Sequence, residues 1–201
     1  MKRLLLILSL LSIMTWGTLK AQNVEDVLDV KTLNFQGVDY QLGWSAHNSG
    51  ESSLYIQEYF PKGQVPESYT DMFTISIITN VVSEINPKKA VAAKEAELAK
   101  RKEESKDVWN WSVMTNDETN EACIDFICCS GKNDELDVVE FDVQRYRMIQ
   151  VDGKPALQLL FYSHRAYGDD ITGMMNNLKD IRGKALLDIV DFNIDCNVKL
   201  K

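Results

Sequence analysis

The residues of this 201-residue chain whose chemistry invites a function are four cysteines, two histidines and a group of strand arginines. Cys123, Cys128, Cys129 and Cys196 allow three complete pairings. Ala122, Ile124, Phe126 and Cys128 alternate with Cys123, Asp125, Ile127 and Cys129, the two faces of a strand. Cys128 falls on the more apolar face, as does Cys196 on an alternating tail. The expectations are buried free thiols or one disulfide, with Cys128–Cys196 the preferred bridge, tying the C-terminal strand to the sheet. No Cys-x-x-Cys is present. Adjacent strand residues diverge, so Cys128 and Cys129 cannot clasp one ion, and no metal or other cofactor is expected.

His47 sits in the polar stretch His47-Asn48-Ser49-Gly50-Glu51, and His164 lies between Ser163 and Arg165. Ser163 and His164 are strand neighbours, so their side chains point apart and cannot form a nucleophile–base pair. No His-Glu-x-x-His, Gly-x-Ser-x-Gly or glycine-rich phosphate loop occurs. Asp191-Phe192-Asn193-Ile194-Asp195 opens like a calcium loop, but Cys196 stands where the sixth-position glycine belongs and the chain ends before the twelfth.

Arg145 and Arg147 share a strand face with Val143 and Ile149, and a following strand brings His164 or Arg165 towards them. These four residues, Arg145, Arg147, His164 and Arg165, are the candidate binding group, suited to a carboxylate or phosphate. The plainer reading is cross-strand pairing with neighbouring acids near Glu140 and Asp142. No catalytic residue is assigned. An enzymatic alternative is a hydrolase site built from scattered residues such as His164, Asp169 and Asp170.

The elements that must position these residues follow from periodicity. Val38, Tyr40, Leu42 and Trp44 alternate with polar residues and Gly43, predicting a strand, and Leu54 to Phe60 reads as its return. Ser68 and Asp71 have capping-box spacing, and Tyr69, Met72, Phe73 and Ile77 follow at helical spacing, predicting a short helix over 69–79. Asn86-Pro87 opens a second helix reaching about Lys106, whose large apolar residues are Val91 and Leu98, so one narrow edge meets the core. Interleaved Lys and Glu on it read as a solvated face.

Strands are predicted over 108–114, 122–129, 136–151 and 156–166, the last two joined by a hairpin turn at Asp152-Gly153. A helix begins at Asp169, with Ile171, Met174, Met175, Leu178, Ile181 and Ala185 on one face, and a closing strand spans 192–198. The expectation is an α+β domain with a mainly antiparallel sheet of six to seven strands and helices packed on it.

Gln57-Glu58-Tyr59-Phe60-Pro61-Lys62-Gly63-Gln64 and Ser68-Tyr69-Thr70-Asp71-Met72-Phe73-Thr74 together resemble bacterial secreted proteins of the PsbP-like family. Tyr69 stands where that pattern would have Trp. The family's fold, shared with the Ran-binding Mog protein, implies an α/β/α sandwich around an antiparallel sheet. It also implies a non-enzymatic binding or accessory role and transfers no functional residue.

Met1-Lys2-Arg3, the apolar run Leu4–Met14 and the small residue Ala21 have the three parts of a secretory signal cleaved before Gln22. Cys123 is the first cysteine, which excludes a lipoprotein anchor at the cut. Removing Lys2, Arg3 and Lys20 from 22 basic residues leaves 19 against 30 acids, so the net charge moves from −8 to −11. That balance argues against nucleic acid as a partner. Residues 22–201 are expected to form one exported domain, periplasmic or secreted, with no membrane span once the signal is removed. Its expected partner is an envelope protein or a small ligand, and a structural role in an envelope assembly is the remaining alternative.

Overall fold

A computed structural model describes residues 24–48, 52–81, 85–132 and 135–198. The expected signal at 1–21 lies outside the described residues. The elements are β1 (Thr32–Phe35), β2 (Val38–Asn48), β3 (Leu54–Pro61), β4 (Asp71–Ile78), α1 (Pro87–Glu104), β5 (Val108–Asn116), β6 (Glu121–Lys132), β7 (Glu135–Val151), β8 (Lys154–Tyr167) and α2 (Asp170–Asp191). The strands form one sheet in the order β1-β2-β3-β4-β8-β7-β6-β5, and every neighbouring pair is antiparallel. Two four-strand meanders are thus stitched together along β4 and β8.

The six-to-seven-strand expectation is overturned: among the described residues the sheet has eight strands and carries two helices. The predicted helix over 69–79 is strand β4. Phe73, Ile75 and Ile77 face one side and Met72, Thr74, Ser76 and Ile78 the other, and both sides are buried. A strand covered on both faces loses the polar alternation that would have marked it, and helical spacing then fits by accident. Strand β1 was not foreseen, because four residues leave too short a pattern. The predicted strand over 192–198 forms no ladder. Its Phe192, Ile194, Cys196 and Val198 do turn inward, and Asn197 N–H donates to the Leu28 carbonyl at 2.9 Å. The tail lies across the sheet face, so its alternation records one-sided burial without strand pairing.

Local chemistry sets the joints. Asn86 Oδ1 accepts from Lys89 N–H at 3.0 Å and Pro87 takes the first turn of α1, as its spacing requires. At the β7–β8 hairpin Asp152 and Gly153 both have positive φ, at 50° and 72°, the conformation a two-residue hairpin turn demands.

The sheet separates two cores. On one face Phe73, Ile75, Val143, Phe141, Leu160 and Tyr162 pack beneath α2, the tail and the segment 27–30. On the other, Ile124, Phe126, Tyr146, Leu157 and Leu159 pack against Ala90, Val91 and Leu98 of α1. Each large side chain so enclosed contributes about 1.5–3 kcal/mol. Both helices therefore sit against the second meander, α1 over β5–β7 and α2 over β7–β8.

Candidate functional site

The cleft of interest lies where the end of β8 passes the first turns of α2. It encloses about 440 Å³ and is lined by Thr70, His164, Ala166, Asp170, Asn177 and Ile181, among others. Register pairing of β4 with β8 sets Asp71 opposite His164. His164 Nδ1 is 2.9 Å from Asp71 Oδ1, Tyr162 OH donates to the same oxygen at 2.7 Å, and Thr70 Oγ1 donates to Oδ2 at 3.0 Å. Thr70 is itself held by Gln64, whose amide donates to Thr70 Oγ1 at 2.9 Å and accepts from Thr70 N–H at 2.8 Å.

Burial alone would raise the Asp71 carboxyl, but the bonds from His164, Tyr162 and Thr70 outweigh it and hold the group below the usual carboxylate range. An ionised Asp71 only accepts hydrogen bonds, so His164 Nδ1 is the donor. That commitment leaves Nε2 as the ring nitrogen for a ligand to meet. The arrangement orients an imidazole as a hydrogen-bonding group or a base. Ser163 points to the opposite sheet face, where it pairs in register with Asp142, so it cannot serve His164 as nucleophile. Among the described residues no group of three His, Cys, Asp or Glu could hold a metal ion.

The candidate basic group is not assembled. Arg145 is buried and structural. It bonds both carboxylate oxygens of Glu121, and its NH1 donates to the carbonyls of Ile189 at 3.1 Å and Phe192 at 2.7 Å, capping the end of α2. Arg147 bonds Gln158 and Asn193. Burial and the charge of Arg145 lower its pKa. Arg145 and Arg147 pair in register with Leu160 and Gln158, whereas His164 and Arg165 pair with Phe141 and Glu140, so the two pairs are at least four residues apart along the sheet, about 14 Å at the nearest. Arg165 and His164 also face opposite sides. Arg165 bonds Glu140 and lies 4.0 Å from the Tyr69 ring centroid.

Arg165 belongs to a second polar group, enclosed within the protein. Burial drives the Glu58 carboxyl up to about 8, with Arg165 opposing and Glu140 adding to the rise. Asp142 is raised strongly, first by burial and then by Glu140. Among the described residues Glu58 Oε2, Thr74 Oγ1 and Asp142 Oδ1 have no hydrogen-bond partner. Glu58 and Asp142, two buried carboxyls beside the Arg165–Glu140 pair, favour retained protons over ionisation.

The expected Cys128–Cys196 bridge is not formed. All four cysteines are free, and these two belong to cores on opposite faces of the sheet. Arg101 NH2 lies 3.5 Å from Cys128 Sγ, and Gln158 Nε2 lies 3.8 Å from Cys196 Sγ. Burial pushes the Cys123 and Cys196 thiols up to about 11 and Cys128 above its ordinary value. Such thiols are poor nucleophiles. His47 stacks on Tyr55, with ring centroids 6.2 Å apart. Of the hydrolase alternative's residues, His164 and Asp170 share the cleft. Asp169 is the N-cap of α2 and makes no side-chain capping bond.

Thr70, Asp71 and Tyr162 were missed as site residues. The signal was present in Phe73-Thr74-Ile75-Ser76-Ile77-Ile78, a run rich in β-branched residues that suits a strand. Reading it so would have set Asp71 at a strand start.

Fold and site together define an antiparallel sheet domain with one helix on each face and an oriented histidine in an open cleft. Residues 28–194 match a family model, and the chain belongs to that family, which is uncharacterised. No curated protein matches the chain. No solved structure matches it either.

Proposed function

We propose that the protein is an exported, soluble, non-enzymatic binding or accessory protein of the cell envelope, which takes a small ligand or a partner's polar group at the His164 cleft. The observation that carries this reading is the imidazole of His164, committed through Nδ1 to Asp71 and set in the wall of a cleft of about 440 Å³. Export rests on the charged start, apolar run and small-residue end of Met1–Ala21. The resemblance of the Gln57–Thr74 stretch to secreted PsbP-like proteins bears on role alone. Binding is preferred to hydrolysis because the hydroxyl adjacent in sequence, Ser163, faces away from His164.

The test is a nuclear magnetic resonance screen of the imidazole nitrogens against amines, carboxylates, sugars and short peptides. A perturbation of His164 that disappears in a folded Asn177→Ala or Ile181→Ala variant supports the reading. No response to any class, or turnover of an ester or peptide that depends on His164 and Asp170, overturns it. Fusion of residues 1–30 to a reporter active only outside the cytoplasm tests export, and an inactive, uncleaved fusion overturns that part.

A further inference from the structure

The polar groups lining the His164 cleft divide into those already bonded within the protein and those left to a ligand. Thr70 Oγ1 donates to Asp71 and accepts from Gln64. The Tyr167 hydroxyl donates to the Tyr69 carbonyl at 2.8 Å. Arg165 pairs its guanidinium with Glu140, on the sheet face opposite His164. Asn177 Nδ2 donates to the Gly173 carbonyl at 2.9 Å, so Oδ1 is the amide atom left to the cleft. What is left is alike. His164 Nε2 accepts in the neutral ring whose Nδ1–H faces Asp71. Asn177 Oδ1 accepts, and the Asp170 carboxylate accepts and carries a negative charge. Among the described residues nothing bonds or pairs with that carboxylate, and no lysine lines the cleft.

We propose that the cleft takes an aliphatic ammonium ligand, an inference that rests on the binding role assigned to His164 above. Three acceptors without an unbonded side-chain donor select a ligand rich in N–H groups, and Asp170 selects a positive one. The N–H groups that open a helix ordinarily favour an anion. Here Asp169 is the N-cap and Asp170 the first helical residue, so that end of α2 repels one. Asp170 and Asn177 lie on one face of α2, two turns and about 10 Å apart along its axis. Met174 lies between them and Ile181 one turn beyond, an apolar wall for methylene groups. Gly173 leaves the space beside them open, with nothing within 4 Å of a Cβ placed there. Acceptor, apolar wall and acceptor in that order fit an alkyl chain with nitrogen at both ends. The ammonium meets Asp170 and the second nitrogen meets Asn177 Oδ1, while His164 Nε2 accepts from the facing wall.

Nitrogen resonance of the imidazole at about pH 8, above the ordinary imidazole range, tests the proposal. Ligands are raised to about 50 mM, which brackets millimolar affinity. Cadaverine, a five-carbon diamine, is expected to shift His164 Nε2 saturably and to bind more tightly than pentylamine. Pentanediol and pentanoate at matched ionic strength leave the resonance unmoved. Asp170→Asn, at an exposed position, weakens the diamine about threefold or more. Asn177→Asp, also exposed, tightens it by a similar factor. Circular dichroism and melting confirm that both variants are folded. A blocked Gly-Lys-Gly peptide presents the same ammonium on a polypeptide. Binding tighter than cadaverine assigns the ammonium to a partner's lysine, and weaker binding assigns it to a free amine. Preference for pentanoate or pentanediol overturns the ammonium inference and leaves the cleft's binding role standing. So does a diamine response indifferent to both variants, since the amine would then sit elsewhere. Silence from every ligand of the series also overturns it, and the wider ligand screen decides the binding role separately.

Discussion

Asp71 and His164 lie 93 positions apart in sequence and face each other across β4 and β8, joined at 2.9 Å. One carboxylate accepts from the imidazole, from the Tyr162 phenol and from the Thr70 hydroxyl. The ring is therefore oriented by a group outside the helix that forms the other wall of the cleft.

Asp71→Asn replaces an acceptor-only carboxylate with an amide whose NH2 can donate to Nδ1, so the Nδ1–H tautomer is no longer fixed. Because the Asp71 pKa is lowered on folding, its stabilisation is present above the ordinary carboxylate pKa and is lost as pH falls through the lower folded value. The variant is expected to lose about 1 kcal/mol at pH 7, and the deficit disappears in strong acid. Urea titrations at several pH values measure the difference, and nitrogen shifts of His164 report the loss of a single tautomer.

Glu58 gives the opposite pH dependence. Its carboxyl rises from 4.5 to about 8 on folding, with burial the main cause. Its favourable contribution is complete below pH 4.5 and is lost as pH rises through 8. Glu58→Gln keeps the shape and removes the ionisation. It is expected to equal the wild type near pH 4 and exceed it near pH 9, by on the order of a few kcal/mol. Thermal melts at the two pH values decide it, and a variant weaker at pH 9 contradicts the assignment.

Arg145 ties β7 to the end of α2. Arg145→Met leaves Glu121 with a charge it cannot match and releases the Ile189 and Phe192 carbonyls. A loss of about 3–5 kcal/mol follows for a buried pair broken on one side. Hydrogen exchange should quicken first in residues 190–198, before the sheet responds. Uniform quickening would mean that the arginine does not anchor that segment.

Thiol titration of the unfolded protein, without reductant, is expected to find four free thiols. In the folded state Cys123, Cys128 and Cys196 should react far more slowly than a free cysteine, because burial disfavours the thiolate. Two free thiols after unfolding would show a bridge.

The sequence disclosed elements wherever local chemistry was strong. Asn86-Pro87 announced α1 and Asp152-Gly153 announced the β7–β8 hairpin, since each is fixed by its own backbone requirements. It misled wherever burial was set from far away. Phe73 and Thr74 are both enclosed, on opposite faces of β4, so the polar–apolar rhythm that distinguishes a strand was absent. Phe192 to Val198 kept that rhythm without a pairing partner. His164 was legible as a polar residue in a strand, but Asp71 was read as part of a helix, so their meeting could not be foreseen. Arg145 and Arg147 share a strand face as expected, yet their partners Glu121, Gln158 and Asn193 come from three other parts of the chain.

The seam between the two meanders has a kinetic consequence. Strands β1 to β4 can pair with sequence neighbours, as can β5 to β8, but β4 meets β8 only by closing a loop of some ninety residues. Contacts of that separation are slow to form, because chain entropy is surrendered before the contact returns anything. Asp71 belongs to one half and His164, Tyr162 and α2 to the other. The oriented imidazole is therefore a late product of folding. A nascent or half-folded chain, even with each meander built, would still lack the Asp71–His164 contact in the cleft wall.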